Sequence, residues 1–236
     1  MKNRILIAAG LLVIILLGVF ASMNIDSIIS DSMKFKKEYE GVNGTTYHDK
    51  KIRNVSIDVK NKIKYLTPKE LLEKIDNDES FVVYFGFKEC PWCRSIIESL
   101  ISVSNDSKVE NLYYVDVKEI RDTIELDNNN KLKVTKKGTD EYYELLKRMD
   151  NVLTKYNITN KENEEIDTNE KRIYAPNIVS FVEGKAIKME TGISKKETDP
   201  YMELTKGMTN YTKNTFKCLF KCVEDSIGTC TKDNMC

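Results

Sequence analysis

The sequence predicts an α/β fold, a central mixed sheet flanked by helices, and three observations predict it. An apolar run, Phe81-Val82-Val83-Tyr84-Phe85-Gly86-Phe87, leads into Cys90-Pro91-Trp92-Cys93 and then into a helical pattern, Arg94-Ser95-Ile96-Ile97-Glu98-Ser99-Leu100-Ile101. A second apolar run, Leu112-Tyr113-Tyr114-Val115-Asp116-Val117, has the near-continuous character of a central parallel strand. Downstream, residues 172–182 read as loop, proline and strand, and Glu183-Gly184-Lys185 reads as a tight turn into a second strand over 186–190.

The remaining elements are taken in chain order. Residues 1–23 read as a membrane anchor or a cleaved signal peptide: Lys2 and Arg4 precede the apolar residues 5–20, and Val19-Phe20-Ala21 ends in a small residue. The charge bias places the rest of the chain outside, so the expectation is a single-pass protein of the cell membrane with an extracellular domain, or a secreted one after cleavage. Residues 24–50 are polar and irregular and read as a tether. Residues 51–215 form the domain, and Val55-Ser56-Ile57-Asp58-Val59 alternates like an edge strand. Thr67-Pro68-Lys69-Glu70 is a helix start with cap, N-terminal proline and capping box, and Leu71, Leu72 and Ile75 supply its apolar face. The helix after the cysteine pair spans about 91–104. Residues 118–172 read as an insertion. Within it Asp127-Asn128-Asn129-Asn130-Lys131 turns between two short strands, and residues 139–153 form a helix with Tyr142, Tyr143, Leu145, Leu146 and Met149 inward. Residues 157–171 are charged and read as a loop. Asp199-Pro200 starts a last helix that runs to about Val223, and residues 216–236 form a Cys-rich tail.

Composition excludes one class of partner. Lys+Arg and Asp+Glu both number 37, so there is no basic footprint for nucleic acid. No cofactor is expected. Six cysteines suit an oxidising compartment.

Two cysteines three apart at a helix start have a specific chemistry. The helix N-terminus carries partial positive charge and unpaired N–H groups, which favour a thiolate. The second sulfur can close a disulfide with the first, and the pair is the minimum for thiol–disulfide exchange. Cys90, at the strand end, is the candidate nucleophile with the more exposed sulfur; Cys93, one turn in, is the resolving thiol. Trp92 is placed to contact substrate, or to pack. C-x-x-C is also half of a zinc site. The tail cysteines Cys218, Cys222, Cys230 and Cys236 have 3, 7 and 5 residues between them, with no second C-x-x-C, and the single histidine, His48, lies in the tether. No metal site is therefore expected. Cys218 and Cys222 stand one helical turn apart with parallel side chains, so each is expected to form a structural disulfide with Cys230 or Cys236.

In the strand, C-x-x-C, helix order, with Pro176 opening a later strand and Glu183-Gly184-Lys185 turning after it, the chain resembles the thioredoxin-like family. Phe85-Gly86-Phe87-Lys88-Glu89-Cys90-Pro91-Trp92-Cys93 looks most like the bacteriocin-transport-accessory type of Gram-positive bacteria. The resemblance covers roughly 62–205. It implies a cis-proline loop at Ala175-Pro176 that lies against the sulfurs and pairs with the substrate backbone. It also implies a thiol–disulfide oxidoreductase acting on cysteine-containing exported proteins or peptides, with a redox partner protein. The sequence departs from thioredoxin at Tyr84, where that protein has a buried aspartate six residues before its first cysteine, and at Pro91-Trp92 in place of Gly-Pro. The competing readings are a non-enzymatic accessory domain with a static Cys90–Cys93 disulfide, and a zinc-binding module.

Overall fold

A computed structural model of the chain describes residues 30–225. The first element is helix α1, Asp31–Glu40, capped by the Ser30 side chain, which accepts from the Met33 N–H at 3.3 Å. A small hairpin comes next, β1 (Thr46–Tyr47) with β2 (Lys50–Lys51). The expected irregular tether over 24–50 is thus corrected from residue 31 onward. Phe35 and Tyr39 alternate by one helical turn and are both fully buried, so the polar composition of the stretch hid a one-sided apolar seam.

The edge strand also lies elsewhere. Residues 55–59 form no strand, although Val55 and Ile57 are buried; the edge is β3, Ile63–Tyr65. Helix α2, Pro68–Asp76, starts as its sequence dictates: Thr67 accepts from the Glu70 N–H at 3.2 Å and Glu70 accepts from the Thr67 N–H at 2.7 Å. Next come β4 (Phe81–Gly86), helix α3 (Pro91–Asp106) and β5 (Leu112–Asp116).

The 118–172 span is more ordered than its charge suggests. It contains hairpin β6 (Thr123–Leu126) with β7 (Leu132–Lys136), helix α4 (Asp140–Arg148), and hairpin β8 (Lys155–Thr159) with β9 (Glu165–Lys171). The first hairpin turns where Asp127 accepts from the N–H groups of Asn129 and Lys131 at 2.8 and 2.9 Å. The loop expected at 157–171 is corrected to the second hairpin. Asn160 accepts there from the Glu162 and Glu164 N–H groups, at 3.0 and 2.8 Å, and Ile158 faces Ile166. One asparagine turn and one apolar cross-strand pair offset the charge of the segment.

Strand β10, Asn177–Val182, and strand β11, Lys185–Glu190, complete a five-stranded mixed sheet in the order β11-β10-β4-β5-β3. Strands β3, β5 and β4 run parallel; β10 is antiparallel to β4 and β11. Glu183 and Gly184 both have positive φ, +48° and +68°, the requirement of a two-residue hairpin turn. A β-carbon at Gly184 would also strike the Ile75 carbonyl. The last helix, α5, is Lys206–Glu224, not a helix from 199: Asp199 folds back on the Tyr201 N–H at 2.9 Å, and Thr205 caps α5 instead.

Every residue of β4 and β10 is buried, so both faces of the sheet are covered. Helix α3 packs against α5, and α2 against α4.

The expectation of a single-pass membrane protein is corrected: among the described residues no helix is long and apolar enough to cross a membrane. The anchor or signal segment 1–23 from which it was read lies outside the described residues. Of the tail cysteines, Cys222 is disulfide-bonded and 2% exposed, while Cys230 and Cys236 lie outside the described residues.

Candidate active site

Cys90 is the N-cap of α3, with extended backbone (φ −61°, ψ 116°), and its sulfur accepts from the Cys93 N–H at 3.2 Å. Pro91 fills the first helical position, where no N–H is needed. The backbone crosses here from β4, whose register with β5 and β10 places the Cys90 loop at the carboxyl end of parallel strands. Both sulfurs are thiols in this structure, and both residues are buried, Cys90 at 4% exposure and Cys93 at 0%. The expected exposure of Cys90 is therefore corrected.

What covers Cys90 comes from distant parts of the chain. The Ala175–Pro176 peptide bond is cis, and the Cys90 thiol donates to the Ala175 carbonyl at 3.1 Å. In the loop before α5, the Tyr201 hydroxyl donates to the Tyr47 carbonyl at 3.4 Å. Trp92 is half-buried and packs against the core.

The two thiols differ in acidity. Burial pushes the Cys90 thiol up, but donation from the Cys93 thiol and N–H, the charge of Arg121 and the Trp92 N–H together bring it below its ordinary value. The Ala175 carbonyl contact belongs to the thiol form, since a thiolate has no proton to give. Burial also pushes Cys93 up, and the adjoining Cys90 adds to the rise, so Cys93 lies well above the ordinary thiol value; Tyr84 and the backbone at Phe87 oppose this only in part. A more acidic outer thiol and a proton-holding inner one are the asymmetry that nucleophile and resolving thiol need.

Arg121, between β5 and β6, sits with its guanidinium 5.3 Å from the Phe87 ring centre. Lys88 and Glu89 are the charged residues nearest Cys90 before it in sequence. Glu89 is paired with Lys118 at 3.4 Å, and the Lys88 carbonyl accepts from Arg94 at 2.9 Å. With Asp122, Tyr156, Arg172 and Tyr174, Arg121 lines a cleft of about 150 Å³ that adjoins the Ala175 loop. Arg172 is ion-paired with Asp122 and stacks on Tyr156 at 4.9 Å. Arg121→Gln is expected to raise the pKa of Cys90. Alkylation of Cys90 then slows at pH near 7 and converges with the unsubstituted protein above about pH 9.5, where Cys90 is ionised in both proteins. A rate–pH profile unchanged by the substitution would reject this role.

Beneath Cys93 the structure places what the sequence did not disclose. Tyr84 is fully buried, interacts with the Cys93 sulfur, and bonds the Tyr39 hydroxyl at 2.7 Å. Tyr114 stacks on Tyr84 with ring centres 5.3 Å apart. The signal for Tyr84 was its position six residues before Cys90; Tyr39 carried none, being 45 residues away in a stretch read as tether. Among the described residues no group of three or more His, Cys, Asp or Glu side chains is arranged to hold a metal ion.

Comparison of the chain with protein-family models, curated proteins and solved structures finds no match.

Proposed function

We propose that this protein is a thiol–disulfide oxidoreductase of thioredoxin-like fold that exchanges disulfides with cysteine-containing proteins or peptides. The observation that carries the reading is the unequal pair: Cys90 caps α3 and is made more acidic, while Cys93 is enclosed and made less so. The mixed sheet with the cysteine pair at a strand-to-helix junction supports the fold assignment, as does the contact between Cys90 and the loop at Ala175.

In the reductive direction the Cys90 thiolate attacks a substrate disulfide. A Cys90–substrate bond forms and one substrate thiolate leaves. Cys93 then attacks Cys90, the intramolecular disulfide forms, and the second substrate thiolate leaves; the oxidative direction is the reverse. The Ala175 carbonyl, 3.1 Å from the Cys90 sulfur, lies where a substrate backbone would approach.

The test is trapping. Cys93→Ser is expected to accumulate a mixed disulfide with a cysteine-bearing unfolded protein, and Cys90→Ser to accumulate none. Equal trapping by both variants, or none by either, rejects the assignment and favours a static disulfide. The reduction potential of the pair then sets the direction: a value near about −270 mV means a reductant, one near about −120 mV an oxidant.

A further inference from the structure

We infer that the cleft lined by Arg121 and Tyr174 selects substrates that carry an acidic side chain close to the reacting cysteine, with Arg121 as the specificity-determining residue. This subsite rests on the exchange reading above, because it acts on the substrate that Cys90 attacks.

Contacts join the cleft to the cysteine pair on two sides. Tyr174 lines the cleft, and the next residue, Ala175, accepts from the Cys90 thiol at 3.1 Å. Opposite it, Arg121 lies with its guanidinium over the Phe87 ring, 5.3 Å from the ring centre. The Phe87 carbonyl in turn accepts from the Cys90 N–H at 3.2 Å. An extended substrate chain advances about 3.3–3.6 Å per residue, so a residue a few places from a sulfur held at Cys90 has the reach to enter the cleft.

Size and charge define what the cleft takes. Its volume is about 150 Å³, below the roughly 300–1,000 Å³ of a pocket for a whole small molecule, so it suits a single side chain. Two guanidinium groups and one carboxylate line it, which leaves one net positive charge. Arg172 and Asp122 satisfy each other. The Arg172 guanidinium donates to the Asp122 carboxylate and, at 2.6 Å, to the Asp122 carbonyl, and it lies 4.9 Å from the centre of the Tyr156 ring. Arg172 is buried, so this pair forms a fixed wall.

Arg121 is the charge left over. It is half-buried, and among the described residues its guanidinium meets the Phe87 ring and no carboxylate. The neighbouring acids are engaged elsewhere: Glu89 pairs with Lys118 at 3.4 Å and Glu119 with Lys136 at 3.0 Å. A guanidinium over an aromatic ring keeps its N–H donors in its own plane, where a carboxylate meets them through two parallel hydrogen bonds. Tyr156 and Tyr174, with ring centres 5.5 Å apart, offer the methylene groups of an aspartate or glutamate an aromatic wall. The Tyr174 hydroxyl donates to the Lys155 carbonyl at 3.0 Å, which fixes that ring. Lys+Arg and Asp+Glu are equal at 37 over the whole chain, so net charge gives no general attraction for acidic substrates and a preference has to be local.

The experiment uses the reduced full chain and short peptides, capped at both ends, whose single cysteine is joined by a disulfide to an aromatic thiol that is coloured when released. The Cys90 thiolate attacks the peptide sulfur, a Cys90–peptide bond forms and the aromatic thiolate leaves. Cys93 then closes on Cys90 and the peptide thiolate leaves. Colour release reads the first step, and release from Cys90→Ser is the blank. Glutamate, glutamine or lysine stands one, two or three residues before or after the cysteine. Each rate is divided by that of the same peptide with a small neutral thiol. The expected result is a glutamate-over-glutamine ratio of about fivefold or more at one or more of these positions at low salt, falling as salt is added. In Arg121→Gln the ratio falls to about one, in Arg121→Glu lysine becomes the preferred residue, and Arg121→Lys restores part of the glutamate preference. Each ratio compares two substrates on one protein, so the effect of Arg121 on Cys90 acidity cancels. A ratio within about twofold of one at every position of the unsubstituted protein overturns the subsite while leaving the exchange reading intact. A glutamate preference that survives unchanged in Arg121→Gln overturns the role of Arg121. No colour release above the blank from any peptide overturns the exchange reading, and the subsite with it.

Discussion

Cys90→Ser is expected to lower turnover of a protein disulfide by roughly a thousandfold or more, the scale of removing a nucleophile elsewhere. A serine hydroxyl in the same place has no accessible anion at neutral pH. The donors that favour a Cys90 thiolate, the Cys93 N–H at 3.2 Å and the charge of Arg121, would have nothing to act on. The unsubstituted protein provides the matching pH test. A thiol lowered below the ordinary value of about 8.5 reaches half its maximal alkylation rate at a pH below that figure. Cys93, raised well above it, stays unmodified across the same range. Mass analysis of the alkylated peptide at several pH values reads both sites at once. Equal rates at Cys90 and Cys93 near pH 6 would contradict the asymmetry, and a Cys90→Ser variant with appreciable turnover would show that another group attacks.

How far the sequence reached depended on whether its signals were local. The helix start at Thr67 to Glu70, the strand at 81–86 and the turn at Glu183-Gly184 are each determined by neighbours within a few residues, and they stand where capping, periodicity and turn chemistry put them. The same locality made Cys90, Pro91 and Cys93 legible as a unit. Misreadings arose where composition outvoted pattern. Phe35 and Tyr39 belong to a helix rich in lysine and glutamate, and β8–β9 is built from charged residues around one asparagine turn. Asp199-Pro200 resembles a helix start, yet the Pro200 and Met202 carbonyls are drawn instead to the Arg53 guanidinium. The surroundings of the cysteines were the least legible part. Ala175 came only through family resemblance, and Arg121, Tyr39 and Tyr114 reach the site by tertiary packing that no short motif encodes.

The same distant packing makes Arg94 the residue whose loss should cost the fold most. Its guanidinium is 1% exposed, on the first turn of α3 just after the cysteine pair. It donates to the carbonyls of Arg53 (2.5 Å), Tyr39 (2.9 Å) and Lys88 (2.9 Å) and to Asn43 Oδ1 (2.5 Å). Asn43 in turn bonds the Val55 N–H and carbonyl at 3.0 and 2.9 Å, so one side chain ties residues 39–55 to the helix that carries Cys93. Two effects compete in Arg94→Met. Removing a buried charge relieves a desolvation penalty, which by itself stabilises. Asn43 Oδ1 keeps its bond from the Val55 N–H, but the three carbonyls lose the guanidinium, and each buried acceptor left unpaired costs about 1–3 kcal/mol. Three such carbonyls outweigh the relief, and the expected net loss is about 3–5 kcal/mol. Arg94→Lys keeps the charge but offers a single ammonium in place of a planar fork, so it should recover only part of that loss. Urea unfolding of the three proteins, compared at equal m-values, measures the difference. A methionine variant within about 1 kcal/mol of the unsubstituted protein would show that residues 39–55 hold to the domain through Phe35 and Tyr39 alone.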